Sequence, residues 1–317
     1  PSKTHSGQVG VATVPDERFD RLVDLYQPKK IVPTKIELFD TPGLSRDEKE
    51  GNAQRLSVIR EASVLVQVIG QFAGCDPTAE ASAFIDDLIL ADSQVVSNRV
   101  ERLKKDAAKP RPDRDELQAE LEALLPIAER LENGDELADM EFSEAQVKAA
   151  SSFALLTRKR RLVVLNTADS DIDAEVVANL ESAGHAVIAA PAGLELEVLA
   201  LPEEEQAEFG AEMGLAEPSR RLLLRKIFEV TDQITFYTCA EKEVHAWLLN
   251  RGETVLDAAD TIHSDLARGF VRAEIWSADD LLRLGSEREL KAAGLQHVEG
   301  KEYVVQDGDE IFIRSGI

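Results

Sequence analysis

Three short apolar runs, each followed by a turn, limit most strongly what this chain can fold into. Val64–Ile69 is rich in β-branched residues and stops at Gly70, and similar runs occupy Arg161–Leu165 and Ala186–Ala190. Runs that are apolar throughout are typical of strands buried on both faces of a parallel sheet. Helical patterns such as AQRLSVIREA and IDAEVVANLESAG alternate with these strands along the chain. This order predicts an α/β fold.

Residues 78–142 carry a helical pattern, which predicts a helical hairpin inserted into the α/β domain. The first helix ends before AAKPRPDRDE, whose two prolines cannot continue it, and the second helix, ELQAELEALLPIAERLEN, stops at Gly134. The pair is either a short antiparallel coiled coil that serves as a partner arm or a cover for the sheet. After it, Ser143 and Gln146 predict a capping box at the start of the next helix.

The composition changes near Thr231, where a second domain is predicted. ITFYTC and EVHAWLL form a predicted hairpin, FVRAEIW a strand, and KEYVVQDGDEIFIR two strands around an Asp-Gly turn, with helices between them. The pattern predicts an α+β module over residues 231–317. The α/β domain then comprises residues 1–77 and 143–230.

Charge and composition exclude several classes of function. The 317 residues hold 36 Lys and Arg against 60 Asp and Glu, a net charge of −24, which argues against nucleic-acid binding driven by bulk charge. The basic run Arg158–Arg161 is either a phosphate-contacting patch or a solvated start of a strand. Two cysteines cannot form a disulfide framework, the histidines have no zinc spacing, and no apolar run is long enough to span a membrane. These features predict a cytoplasmic protein.

Three short motifs follow predicted strands and are the candidate functional site. Asp40-Thr41-Pro42-Gly43 ends the strand Ile31–Phe39, Asn166-Thr167-Ala168-Asp169 ends the second apolar run, and Ala190-Pro191-Ala192-Gly193 ends the third. Ligands of open α/β sheets bind at the carboxyl ends of strands. The first motif read alone also fits a plain β-turn. Together, the motifs resemble the switch II, base-specificity and base-loop motifs of GTPase-like P-loop nucleoside triphosphatases.

The resemblance narrows to the YchF subfamily, the Obg-like ATPases, also called EngD. The stretch VATVPDERFDRLVDLYQPKKIVPTKIELFDTPGL is similar to the family segment between switch I and switch II, and the helical hairpin is similar to the family's coiled-coil insertion. The C-terminal stretches ITFYTCAEKEVHAWLLNRGETVLDAADTIHSDLARGFVRAEIW and EGKEYVVQDGDEIFIR look like the family's TGS domain, which has a β-grasp-type fold. The resemblance therefore implies a P-loop-type parallel sheet with a coiled-coil insertion and a TGS domain.

Specific roles follow from the resemblance for the residues that match the family motifs. Thr4 falls on the switch I threonine, and with Asp40 it would hold Mg²⁺, while the backbone N–H of Gly43 would approach the γ-phosphate. Leu44 stands where other GTPases carry a water-positioning Gln, which implies slow hydrolysis. The Walker A motif G-x-x-x-x-G-K-[ST] is absent from the 317 residues, so we expect it upstream of Pro1 and expect the chain without it to be inactive.

The base-binding residues leave the choice between ATP and GTP open. Asn166 would fix the backbone around the base, Asp169 would accept from guanine N–H groups, and Pro191, Ala192 and Gly193 would supply the base loop. The family usually has Glu at the position of Asp169, and guanine-specific proteins usually have Lys at the position of Thr167. The family resemblance favours ATP, with GTP close behind.

The resemblance implies a conformational switch acting on a ribosomal or translation-related partner. The helical hairpin and the TGS domain would be its docking surfaces, and Arg268 and Arg272 beside Gly269 and Phe270 are candidates for an RNA contact. The alternative is a non-catalytic scaffold in which a degenerate nucleotide domain carries these two docking elements.

Overall fold

The computed structural model describes residues 8–44, 49–71, 74, 76–169, 172–215 and 219–316. The described strands are β1 (Gln8–Thr13), β2 (Ile31–Val32), β3 (Lys35–Asp40), β4 (Val64–Gly70), β5 (Arg160–Asn166), β6 (Ala186–Ala190), β7 (Gln233–Cys239), β8 (Val244–Asn250), β9 (Phe270–Ser277), β10 (His297–Glu299) and β11 (Asp309–Ser315). The described helices are α1 (Glu17–Tyr26), α2 (Lys49–Glu61), α3 (Pro77–Ala107), α4 (Arg114–Glu132), α5 (Glu144–Ala150), α6 (Ala174–Ser182), α7 (Ala192–Leu199), α8 (Glu203–Glu212), α9 (Ser219–Thr231), α10 (Val255–Ile262), α11 (Ser264–Arg268), α12 (Ala278–Leu284) and α13 (Glu287–Ala292). None of these helices has the length and apolar character needed to cross a membrane.

The chain forms two compact units. The first contains Asp40–Ser219, and the second contains Val9–Phe39 together with the chain from Arg220 onward. The sequence assigned residues 1–77 to the nucleotide domain, whereas residues 9–39 lie in the second unit. The physical reason is apolar packing: Phe19 and Leu22 of α1 are buried against Tyr237 in the second unit.

The first unit is built on the predicted parallel sheet, which confirms the α/β fold class. Its described strands follow the order β4-β5-β6, and every pair is parallel. The middle strand β5 is buried on both faces, since Val163 and Val164 are 2% and 5% exposed. In β4, by contrast, Val66 and Val68 are 37% and 64% exposed, so one face of this strand is not covered as its apolar run predicted. The register places Gly70 beside Asn166 and Asn166 beside Ala190, so the three strands end at one common edge.

The two predicted helices of the insertion are α3 and α4, and they pack against each other. Val100 and Leu103 of α3 share a buried cluster with Leu124 and Ile127 of α4. The N-terminal part of α3 also covers the sheet, because Leu88 is buried against Leu65 of β4. Different parts of α3 therefore contribute to the hairpin and to the covering of the sheet. The predicted capping box is present at the start of α5.

The second unit contains a six-stranded sheet with the order β10-β9-β11-β7-β8-β2. The hairpin β7–β8 is antiparallel, as predicted, and β11 runs parallel to β7. One face of the sheet packs against α10 through Phe236, Val255 and Ile275, and the other face packs against α1 and α12. The five strands β10-β9-β11-β7-β8, packed on α10, form the predicted β-grasp arrangement, and β2 is added beside β8.

Two predicted strands are placed differently by the structure. The strand predicted over Ile31–Phe39 is two strands separated at Pro33, which has no N–H to donate to a ladder. A strand was also predicted just before the C-terminal Asp-Gly turn, but there Val304 makes only an isolated bridge with Thr254. The strand at this edge of the sheet is β10, which pairs with β9. The turn itself is bound to β7, because Gly308 donates to the carbonyl of Thr235.

Candidate functional site

Asn166 and the start of α7 are joined at the carboxyl edge of the sheet in the first unit. Asn166 is the last residue of β5, and its Oδ1 accepts a hydrogen bond of 3.1 Å from the backbone N–H of Ala192. Ala192 follows the neighbouring strand β6 and opens α7. The parallel register of β5 and β6 therefore allows one side chain to fix the segment that follows the next strand.

Pro191, Ala192 and Gly193 form the cap and first turn of a helix, whereas the sequence predicted a loop. Pro191 is the cap residue, and its carbonyl accepts from Glu195 at 3.0 Å. The N–H of Ala192 is bound to Asn166, so it is not the N–H that meets a base. Gly193 is exposed, and the position a Cβ would take there has open space within 4 Å.

Thr167 is directed into the protein. It is 3% exposed, its N–H donates to the carbonyl of Ala190 at 3.1 Å, and its Oγ1 donates to the carbonyl of Asp169 at 2.7 Å. These bonds close the turn after β5 and leave Asp169 exposed. The short side chain of Thr167 thus stabilises the turn, whereas a lysine at this position would extend to the surface.

Asp40 and Gly43 lie at the end of β3, whose described partner is β1. Both residues are exposed, and Leu44 is half-buried. The carbonyl of Gly43 accepts a hydrogen bond of 3.1 Å from Nη1 of Arg55, which also contacts Oδ1 of Asn52 at 3.2 Å. Sequence reasoning missed Arg55, because no spacing rule connects a helix residue with a carbonyl twelve positions earlier.

A buried ion pair holds the C-terminal end of α2. Nη1 of Arg60 donates to Oδ1 of Asp92 at 2.9 Å and to the carbonyl of Phe153 at 3.0 Å. Asp92 is 0% exposed, and its Oδ2 accepts from both the N–H and the Oγ1 of Thr157, at 2.9 and 3.0 Å. The sequence predicted that Arg60 lies on one face of a helix, but it did not predict the ion pair with Asp92. The helix that follows the Asp40–Gly43 motif is thereby fastened to α3.

The basic run Arg158–Arg161, which extends into the start of β5, makes structural contacts. Arg158 lies over the ring of Phe142 at 3.9 Å, Lys159 donates to a backbone carbonyl, and Arg161 pairs with Glu136. Burial lowers the pKa of Lys159. These contacts favour the structural interpretation of the run over a phosphate-contacting patch.

The donor set available for Mg²⁺ is small. Thr4 lies outside the described residues. Within the part of the chain that is described, no group of three or more His, Cys, Asp or Glu side chains could hold a metal ion. Mg²⁺ in nucleotide sites uses one or two carboxylates and takes its other ligands from phosphates and water. The exposed carboxylate of Asp40 fits that smaller requirement.

Known proteins resemble this chain in sequence and in structure, and the relatives below match nearly all of it. The family model YchF-GTPase_C, described as "Protein of unknown function (DUF933)", matches residues 233–315. The "Ribosome-binding ATPase YchF" of Bacillus subtilis is 34% identical, with 100% of this chain and 91% of that protein covered. The "Obg-like ATPase 1" of Oryza sativa subsp. japonica is 32% identical, with 96% of this chain and 82% of that protein covered. The solved YchF GTPase of Schizosaccharomyces pombe superposes with a TM-score of 0.82 at 26% identity, covering 96% of this chain and 87% of that one.

Proposed function

Because this chain belongs to the YchF family of Obg-like ATPases, we propose that it binds a nucleoside triphosphate at the carboxyl ends of β5 and β6 and hydrolyses it. The observation that carries the proposal is the hydrogen bond from Ala192 to Asn166, which organises the two base-binding motifs as one site. A polar side chain used in this way pre-forms the pocket, so little ordering is needed when a base binds.

In this site Asn166 holds the start of α7, and Asp169 reads the base edge. The carboxylate of Asp169 accepts from guanine N–H groups if the base is guanine, and family membership favours adenine. We therefore propose ATP as the substrate, with GTP as the close alternative. Thr167 contributes to the turn, and Pro191 and Gly193 border the pocket.

Asp40 and Thr4 would hold Mg²⁺, and the backbone N–H of Gly43 would approach the γ-phosphate. When bound, Mg²⁺ neutralises charge on the phosphate oxygens. Leu44 offers no hydrogen bond to an attacking water, so we propose slow hydrolysis. The 317 residues contain no Walker A motif, so we propose that the chain without such a loop binds triphosphate weakly.

The partner is the ribosome, and the protein works in the cytoplasm. The name of the Bacillus subtilis relative supports this partner, since that protein is called a ribosome-binding ATPase. The hairpin α3–α4 and the β-grasp module, which corresponds to the TGS domain, are the docking surfaces. A nucleotide-dependent conformational change of the segment that follows Asp40 acts as the switch.

The test is to measure ATP and GTP affinities side by side on the purified native protein. Asn166→Ala should weaken both nucleotides about 5- to 150-fold, the cost of a lost buried polar partner. Asp169→Ala should weaken GTP much more than ATP if the carboxylate reads guanine. Asn179→Ala and Glu197→Ala are matched controls on exposed helix positions. Equal affinities in all four variants and the wild type would remove these residues from the site.

A further inference from the structure

The backbone of Gly43 is held by a side chain of α2. Nη1 of Arg55 donates to the carbonyl of Gly43 at 3.1 Å and to Oδ1 of Asn52 at 3.2 Å. Asn52 and Arg55 are three positions apart in α2, so they lie on the same side of the helix. Asn52 therefore orients the guanidinium toward the motif that follows β3.

Gly43 has little else to restrict its backbone. Among the described residues, the bond from Arg55 is the only hydrogen bond that Gly43 makes. A Cβ at this position would meet no atom within 4 Å, so the space around the residue is open. Glycine also has the widest conformational freedom of all residues. The bond from Arg55 is therefore what fixes the peptide that follows Gly43.

The N–H of Gly43 lies between two restraints. Pro42 precedes it, and the proline ring fixes the φ angle of that residue. On the other side, the peptide unit between Gly43 and Leu44 is planar, so a bond to its carbonyl oxygen orients the whole unit. Together, these restraints limit the directions in which the N–H of Gly43 can point. A donor that is oriented before its ligand arrives loses less entropy on binding.

We propose that Arg55 is a positioning residue for the γ-phosphate of the bound nucleotide, because it orients the backbone of Gly43 that would donate to this phosphate. The positive charge of the guanidinium strengthens its hydrogen bond to the carbonyl. The inference rests on nucleotide binding as the proposed function. A nucleoside diphosphate has no γ-phosphate, so Arg55 contributes to the preference for triphosphate over diphosphate.

The test is the ratio of triphosphate to diphosphate affinity, measured by calorimetry with Mg²⁺ on the purified native protein, for ATP against ADP and for GTP against GDP. Arg55→Met keeps most of the aliphatic stem and removes the donors. It should weaken triphosphate binding about 10-fold, the contribution of one hydrogen bond from a charged donor, and leave diphosphate binding unchanged. Arg55→Lys keeps the charge but not the planar fork that bonds both partners, so its loss should be smaller. Gln54→Met, at the exposed neighbouring position, is the matched control and should keep both affinities.

Circular-dichroism melting shows that each variant is folded. A wild-type ratio in Arg55→Met would overturn the proposal, as would equal losses for triphosphate and diphosphate, which a purely structural role in α2 produces. Tighter triphosphate binding would also overturn it, since the bond would then hold an orientation that the triphosphate must displace.

Nucleotide binding by the wild type separates this inference from the proposed function. A wild type that binds nucleotide, together with an unchanged ratio in Arg55→Met, refutes the role of Arg55 alone. A wild type that binds no nucleotide refutes the proposed function and the inference that rests on it.

Discussion

Glu310 should make the second unit less stable as the pH rises from about 5 to 8. This residue is 2% exposed, and its Oε1 lies 2.9 Å from the hydroxyl of Tyr26. The same hydroxyl lies 3.0 Å from Oε1 of Glu287. A single hydroxyl proton can be donated to only one carboxylate, so the other contact requires a protonated carboxyl. Burial makes Glu310 the one that keeps its proton.

Burial raises the pKa of Glu310 from 4.5 to about 7. The folded state therefore holds this proton more tightly than the unfolded state does. The contribution of Glu310 to the free energy of unfolding is complete below pH 4.5, falls between pH 4.5 and 7, and is lost above pH 7. A shift of this size corresponds to about 3 kcal/mol at 1.36 kcal/mol per pH unit.

Urea unfolding followed by tryptophan fluorescence measures this contribution selectively. The two tryptophans of the chain, Trp247 and Trp276, both lie in the second unit. Glu310→Gln removes the titration but keeps a polar group of the same shape, so the difference in unfolding free energy between pH 5 and pH 8 should shrink by about 2.5 kcal/mol.

Other titrating groups also change the pH dependence of the wild-type unfolding free energy, so the prediction is tested by comparing variants. Burial also raises the pKa of Asp309, which adds to the loss with rising pH, whereas burial lowers the pKa of His245, which acts at acid pH. Both groups are present in Glu310→Gln and in the control Glu302→Gln, whose exposed side chain makes no buried contact. An unchanged pH dependence in Glu310→Gln would refute the assignment of the proton to this carboxyl.

Further predictions concern the first unit and the switch. Asp92→Ala should lower the free energy of unfolding by about 3–5 kcal/mol, because the guanidinium of Arg60 would lose its buried counter-ion, and a circular-dichroism denaturant titration measures this. Asp40→Ala should abolish Mg²⁺-dependent binding of the triphosphate, measured by calorimetry with and without Mg²⁺; retention of that dependence would contradict its role. Leu44→Ala should leave the turnover rate within a few-fold, and a large loss with intact binding would reveal a catalytic role. Ser143→Ala removes a helix cap and should cost about 1 kcal/mol in thermal unfolding.

The sequence predicted those parts of the molecule that depend on local pattern. The apolar runs determine β4, β5 and β6, and the polar residues after a strand lie at its carboxyl end in any parallel sheet. The position of Asn166 beside the segment after β6 follows from this rule. The capping box at Ser143 is equally local, since both partners lie within one turn of helix.

Contacts that depend on tertiary packing could not be predicted in the same way. Arg55 reaches the carbonyl of Gly43, and Arg60 pairs with Asp92, only after helices of unknown orientation have packed. The grouping of residues 9–39 with the second unit also depends on such packing, because Phe19 is apolar and would suit either core. Pro33 was a visible signal for the break between β2 and β3, since proline cannot donate to a strand ladder.

Nucleotide binding at Asn166 should be linked to ribosome association. The measurement is the fraction of purified native protein that sediments with ribosomes in the presence of ATP, a non-hydrolysable ATP analogue, ADP or no nucleotide. We predict that the wild type and Asn179→Ala change their bound fraction with the nucleotide, and that Asn166→Ala needs about 5- to 150-fold more nucleotide for the same change. A wild-type fraction that is the same under all four conditions would contradict the switch and support a non-catalytic scaffold.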